Sequence, residues 1–227
     1  MATSCKNEEL NNNIDDIENN KPENNQSVNY DKASEDSTEK DVSNLSLEDL
    51  KAMDETAESD FEYEKVDGGI SITGYLGKDA IVVLPDRIDN ENVVEIGDYA
   101  FANNNILQAI RISDSIKIIE EHAFENCTEL KALLCGSSLE TIDSFAFSSC
   151  PALNTVELNE GLLNLNRSCF GMPTFREIFV PSSVIYMDVP FLALNGDKIT
   201  VISEAGSYVE SQITEWGERY GLEFKAK

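Results

Sequence analysis

The chain has 227 residues, with 43 acidic and 17 basic side chains and a formal net charge of −26 at pH 7. This balance argues against nucleic acid or an anionic membrane surface as a direct partner, because both repel an acidic protein. Five cysteines in a chain of this length do not make a small disulfide-rich scaffold. No apolar run reaches the ~18 residues of a membrane-spanning helix.

Residues 1–60 have the composition of a disordered, acidic, Asn-rich tether. They carry a net charge of −12, nearly half of the total, and the apolar residues of the stretch 6–45 follow no period. Such a segment buries too little apolar area to offset the entropy lost on ordering. We therefore predict that this part of the chain is a spacer.

A short helix is predicted within this tether, over residues 47–56. A capping-box pattern begins at Ser46. The apolar residues that follow it share one helical face: Leu47, Leu50 and Met53. Whether this helix docks on the rest of the chain is left open, because an isolated helix of this length is marginal in water.

The start of the tether resembles the mature start of a bacterial lipoprotein, in which a lipidated cysteine is followed by a flexible spacer. Cys5 stands directly before the acidic, Asn-rich stretch and is the candidate lipidation site. The residues before Cys5 are too few to form a signal peptide. The alternative is an ordinary cysteine in a disordered tail, and both readings stay open.

A 23-residue repeat organises the chain over residues 93–184. A phenylalanine preceded by a small residue marks each of four units: Phe101, Phe124, Phe147 and Phe170. Short segments with alternating inward and outward residues recur with the same period and predict strands that stack as a parallel sheet. Each unit is one coil of a solenoid, since no unit can bury its apolar side alone.

These units resemble the BspA-type (Treponema-type) leucine-rich repeats, in which a Cys follows the Ala-Phe pair and a Pro follows the strand. Cys127 and Cys150 match that Cys, and Pro85 and Pro181 match that Pro. The resemblance covers about residues 61–227. It implies an α/β fold, namely a right-handed leucine-rich-repeat solenoid with short stacked parallel strands. It also implies a bacterial cell-surface protein that adheres to host protein, matrix or glycoconjugate.

The flanks of the repeats are predicted to be caps, because an uncovered solenoid end exposes core and strand edges. Residues 61–92 form the N-terminal cap, with a hairpin turn at Gly68-Gly69. Residues 185–227 hold the final strand, predicted at 199–202, and a helix.

The C-terminal helix is predicted to begin after Ser207, which starts a capping box, and to stop at Gly221. One apolar face is assigned to this helix: Val209, Ile213, Trp216 and Tyr220.

Residues with catalytic chemistry are sparse, and we predict no enzyme activity, no cofactor and no metal. The single histidine, His122, occupies a column that also holds Tyr99, Phe145 and Ser168, which predicts a half-buried surface position. Cys127 and Cys150 are equivalent residues of adjacent coils. They could be bridged, but packed thiols fit the repeat better.

The outward column of the main sheet provides the candidate ligand face. Its candidate contact residues are Arg111, Leu134, Glu157, Phe179 and Thr200. Leu134 and Phe179 are predicted to be exposed apolar side chains on this face. We predict a non-enzymatic binding module for a protein or glycoconjugate, with a membrane contact only through a lipid at Cys5. The alternative is a structural scaffold or assembly protein of the bacterial envelope, and the oligomeric state is open.

Overall fold

A computed structural model of the chain describes residues 45–171, 173–188, 191–192 and 198–227. The predicted tether up to residue 44, with Cys5, lies outside the described residues. Two helices flank the repeats, α1 (Leu47–Lys51) and α2 (Tyr208–Tyr220). The strands in chain order are β1 (Phe61–Val66), β2 (Gly69–Tyr75), β3 (Ile81–Val83), β4 (Arg87–Ile88), β5 (Glu91–Ile96), β6 (Ala109–Arg111), β7 (Ile118–Ile119), β8 (Ala132–Leu134), β9 (Thr141–Ile142), β10 (Thr155–Glu157), β11 (Asn164–Leu165), β12 (Glu177–Phe179), β13 (Tyr186–Met187), β14 (Ile199–Ser203) and β15 (Leu222–Ala226).

Parallel strands stack along two sides of the solenoid. One side has the order β1-β2-β5-β7-β9-β11-β13, with β1 antiparallel to β2 and parallel pairing from β2 onward. On the other side, β3, β6, β8 and β10 form a parallel sheet, and β12, β14 and β15 form a second one. The predicted leucine-rich-repeat solenoid, with its stacked parallel strands and N-terminal hairpin, is confirmed.

A stack of aromatic rings fills the centre of the solenoid. Each repeat phenylalanine is at most 1% exposed, and the rings of Phe101, Phe124, Phe147 and Phe170 follow one another at centroid distances of 4.8, 4.9 and 5.4 Å. Tyr75 extends the stack into the N-terminal hairpin at 5.6 Å from Phe101. The 23-residue period therefore positions one ring per coil.

The repeat cysteines satisfy buried carbonyl groups of the preceding coil. The thiol of Cys127 donates to the Phe101 carbonyl at 3.1 Å, and that of Cys150 donates to the Phe124 carbonyl at 3.2 Å. Both residues are free cysteines. Burial is the main cause that raises the pKa of the Cys127 thiol well above its usual range. These cysteines are therefore packed thiols and not a disulfide.

The C-terminal cap differs from the prediction in two details. The last stacked strand is β15, which follows α2 and pairs with β14, so the predicted strand at 199–202 is the last but one. Helix α2 has Ser207 as its N-cap and Gly221 as its C-cap, as predicted. Its buried face carries Gly217, where a Cβ atom would lie 2.6 Å from a backbone oxygen, while Trp216 is 39% exposed. Placing Trp216 on the buried face was wrong, because that face runs through Val209, Ile213 and Gly217, and β15 passes close to the helix at Gly217.

Candidate functional site

The side of the solenoid that carries β3, β6, β8, β10, β12, β14 and β15 has an outward face with two halves. The first half, on β3, β6, β8 and β10, aligns Val83, Arg111, Leu134 and Glu157 in one column. The second half lies on β12, β14 and β15. We call them the covered half and the open half, because α1 lies on the first, and in the described residues no helix lies on the outward side of the second.

Helix α1 docks on the covered half through an apolar cluster that is separate from the solenoid core. Leu50 is fully buried, against Val83, Ala109 and Leu134, and Leu47 and Met53 pack at its margin. Burial of one leucine side chain stabilises a fold by about 1.5–3 kcal/mol. Leu134 is only 4% exposed, so the prediction of an exposed Leu134 was wrong: α1 covers it.

Helix α1 is also shorter than the predicted span of 47–56. The capping box forms, with the Asp49 amide donating to Ser46 Oγ at 3.1 Å. The helix stops at Lys51, because the chain must become extended to reach the edge of the sheet. There, Thr56 donates its amide to the Val83 carbonyl at 2.9 Å and accepts the Val83 amide on its hydroxyl at 3.1 Å. These bonds cover the open edge of β3, so the described part of the segment before residue 61 contacts the solenoid.

Two polar contacts join the end of α1 to the predicted ligand residues. Arg111 Nη1 donates to the Lys51 carbonyl at 2.5 Å. Lys51 Nζ lies 3.1 Å from a carboxylate oxygen of Glu157, and this bond is the main cause that raises the Lys51 pKa. The structure thus brings Arg111, Leu134 and Glu157 together, as predicted, but their contacts are with the chain's own N-terminal segment.

A groove of about 450 Å³ continues beside α1, between the segment and the strand ends. Its lining is mixed in charge, with Lys51 and Arg111 facing the carboxylates of Glu55, Asp86, Asp114 and Glu157. Carboxylates outnumber cations, so the unfilled part of the groove favours a basic group.

The open half presents apolar side chains to solvent. Phe179 pairs with Ile202 across β12 and β14, and both are half-buried. Thr200 pairs with Glu177 instead, so placing Thr200 in the same column as Phe179 was wrong. The repeat period itself places Ile202 beside Phe179, because the two residues are 23 positions apart, so the error lay in the alignment of this last predicted strand.

Charged pairs surround this apolar centre. Lys225 lies 3.7 Å from Glu177, Lys227 lies 3.6 Å from Glu204, and Lys198 pairs with Glu223. The Lys227 ammonium also lies over the Phe179 ring, 4.5 Å from its centroid. An apolar centre with a charged rim is the anatomy of many protein–protein interfaces.

His122 belongs to a surface ladder on another part of the solenoid. Its ring stacks between Tyr99 and Phe145, at centroid distances of 4.8 and 5.1 Å, and its nitrogens lie near Glu121 and Glu125. The predicted half-buried position is confirmed, with a side chain 20% exposed.

Among the described residues, no group of three His, Cys, Asp or Glu side chains could hold a metal ion. In the same part of the chain, neither helix is long and apolar enough to cross a membrane.

Stacked coils with a capped sheet define a leucine-rich-repeat solenoid. A model of the BspA type leucine-rich repeat region matches residues 88–202 in six copies, and the chain belongs to this family. The match extends beyond the predicted repeat region 93–184 at both ends. Family membership is consistent with a binding or recognition role, since repeats of this kind are protein-interaction modules.

Two solved structures resemble the chain over about two thirds of its length. A leucine-rich repeat protein of T. pallidum is 29% identical, with a TM-score of 0.60, over 66% of this chain and 71% of that chain. A leucine-rich repeat protein from Bacteroides ovatus is 23% identical, with a TM-score of 0.51, over 66% of this chain and 46% of that chain, and it supports the fold alone. No curated protein matches the chain.

Proposed function

We propose that the chain is a non-enzymatic recognition module of a bacterial cell surface, which adheres to a host protein, matrix component or glycoconjugate through its outward sheet face. The open half is the accessible part of that face and makes the first contact with the ligand. The observation that carries this proposal is the half-exposed pair Phe179 and Ile202 inside a ring of lysine–glutamate pairs.

The chemistry of this surface favours a protein ligand. Aromatic side chains at the centre of an interface contribute most of the binding energy, and a polar rim excludes water around them. Phe179 has the central position, and Lys225 and Lys227 place positive charge beside it on a chain that is otherwise strongly acidic. A ligand with an apolar contact and carboxylates near it would complement this surface.

Binding of the full-length chain to immobilised matrix proteins and mucins tests the proposal. We expect Phe179→Ser to weaken binding by about tenfold or more, because it removes the central contact. Ile185→Ser is the matched control, since Ile185 is 65% exposed and lies next to β13 on the other side of the solenoid. The control variant should bind like the wild type.

Two outcomes would contradict the proposal. One is the absence of binding across matrix, mucin and other surface proteins. The other is a Phe179→Ser variant that binds as tightly as the wild type while the Ile185→Ser variant is impaired.

Anchoring through Cys5 is a separate part of the same proposal. A lipid on Cys5, followed by the acidic tether, would hold the recognition face away from the membrane surface. Intact mass measurement of the protein isolated from its own cells tests this, with an acyl-modified Cys5 peptide as the expected result. An unmodified Cys5 peptide in the exported protein would contradict it.

A further inference from the structure

The segment that covers the sheet face is separable from the solenoid core. The main core begins at Phe61 and contains no residue of the stretch 45–57. Leu50 instead packs in the small outward cluster with Val83, Ala109 and Leu134. Since the aromatic stack is complete without α1, lifting α1 would uncover the face and leave the core intact.

Few contacts hold this segment on the solenoid. Helix α1 has five residues, of which only Leu50 is buried. The ion pair from Lys51 to Glu157 lies at the surface, with side chains 40% and 32% exposed. A helix of this length does not persist alone in water. The docked state therefore depends on one leucine and a few polar bonds, which a competing segment could replace.

The contacts of α1 also define what the face recognises. The apolar residues Leu47, Leu50 and Met53 are spaced by three and meet an apolar floor, while Lys51 reaches Glu157. An amphipathic helix that lays its apolar side in a groove is a recurring mode of peptide recognition. The unfilled groove beside α1 is rich in carboxylates, so a helix with further basic residues would complement it.

We propose that the outward face of β3, β6 and β8 is a binding site for an amphipathic helical segment of a protein partner, and that α1 is a built-in competitor for this site. The partner segment carries two apolar side chains three residues apart and a basic residue directly after the second, as in Leu47, Leu50 and Lys51. This inference rests on the proposed function, because it names the partner chemistry for the covered half of the same face.

A labelled peptide of residues 45–57, titrated into the full-length chain, tests the inference by fluorescence polarisation. Wild-type chain should bind the peptide weakly, because α1 occupies the site. Leu50→Asp should release α1 and increase the affinity for the peptide by about tenfold or more. Ile185→Asp, at an exposed position away from this face, should leave the affinity at the wild-type value.

Hydrogen exchange on the same variants shows whether α1 is released while the core stays folded. In Leu50→Asp, the amides of residues 47–57 should exchange faster, while those around the Phe124 ring stay protected. Continued protection of α1 in this variant would overturn the inference, and so would fast exchange of α1 without a gain in peptide affinity. A wild-type dimer that Leu50→Asp dissociates would also overturn it, because a second copy would then supply α1.

These results are distinguishable from a failure of the proposed function. The peptide comes from the chain itself, so its binding does not depend on any external ligand. Conversely, loss of ligand binding in Phe179→Ser concerns the open half and leaves the site under α1 untouched.

Discussion

The covered and open halves of the outward face have similar strands but different surroundings. Leu134 in the covered half is 4% exposed under α1, whereas Phe179 in the open half is half-buried beneath the Lys227 ammonium. The repeat therefore specifies the inward residues, whereas the exposure of an outward residue depends on which other segment packs on it. In one half that covering is the chain's own segment, and in the other the described residues leave Phe179 half-buried.

The largest expected effect comes from a carboxylate placed under α1, compared with a carboxylate placed on the open half. Leu134→Asp puts a charge under α1 and should destabilise the fold by about 2–3 kcal/mol, because the carboxylate either loses its hydration or releases α1 together with its apolar contact. Phe179→Asp should cost less than about 1 kcal/mol, since the carboxylate stays hydrated. Urea denaturation of both variants measures the contrast, and equal losses would contradict it.

A smaller effect is expected from truncation of the residue that α1 buries. Leu50→Ala should cost about 2 kcal/mol, at the low end for a buried leucine because the segment can relax away from the face. The loss should appear as local opening and not as global unfolding. Hydrogen exchange at the Val83 amide, which donates to Thr56, reports this opening. Unchanged protection there would show that α1 and the edge contact are independent.

The smallest effect concerns the lysine over the aromatic ring of the open half. A cation–π contact at an exposed site contributes about 0.5–1 kcal/mol. A double-mutant cycle with Phe179→Leu and Lys227→Met should yield a coupling free energy of that size, decreasing with added salt. A coupling free energy of zero would show that the contact between Lys227 and Phe179 does not contribute to stability in solution.

The sequence predicted what the repeat determines. The aromatic stack, the strands and the packed thiols follow from the 23-residue period, because the same side chain must meet its own equivalent in the next coil. The caps of α2 were also predicted correctly, because the capping preferences of Ser207 and Gly221 depend only on neighbouring residues. The half-buried position of His122 was also predicted correctly, because the side chains of its column vary in chemistry from coil to coil.

Features without a period were harder to predict. The capping box at Ser46 and the spacing of Leu47, Leu50 and Met53 marked a helix, but nothing in them indicated which surface it meets. For this reason Leu134 was expected to be exposed. The position of Thr200 could have been predicted, because the residue 23 positions after Phe179 is Ile202. The exposed Trp216 could not, because the buried face of α2 runs through Gly217, where β15 passes close to the helix.

The reactivity of cysteines introduced on the two halves shows whether α1 covers one half of the face and leaves the other open. Leu134→Cys and Phe179→Cys, each combined with Cys5→Ser, should be alkylated by a maleimide at very different rates. The repeat cysteines are buried and should react slowly in both. We expect fast labelling of a Cys at position 179 and slow labelling at position 134, and the labelling at 134 should become fast when Leu50→Asp is added. Equal rates in the two variants, with α1 intact, would contradict it.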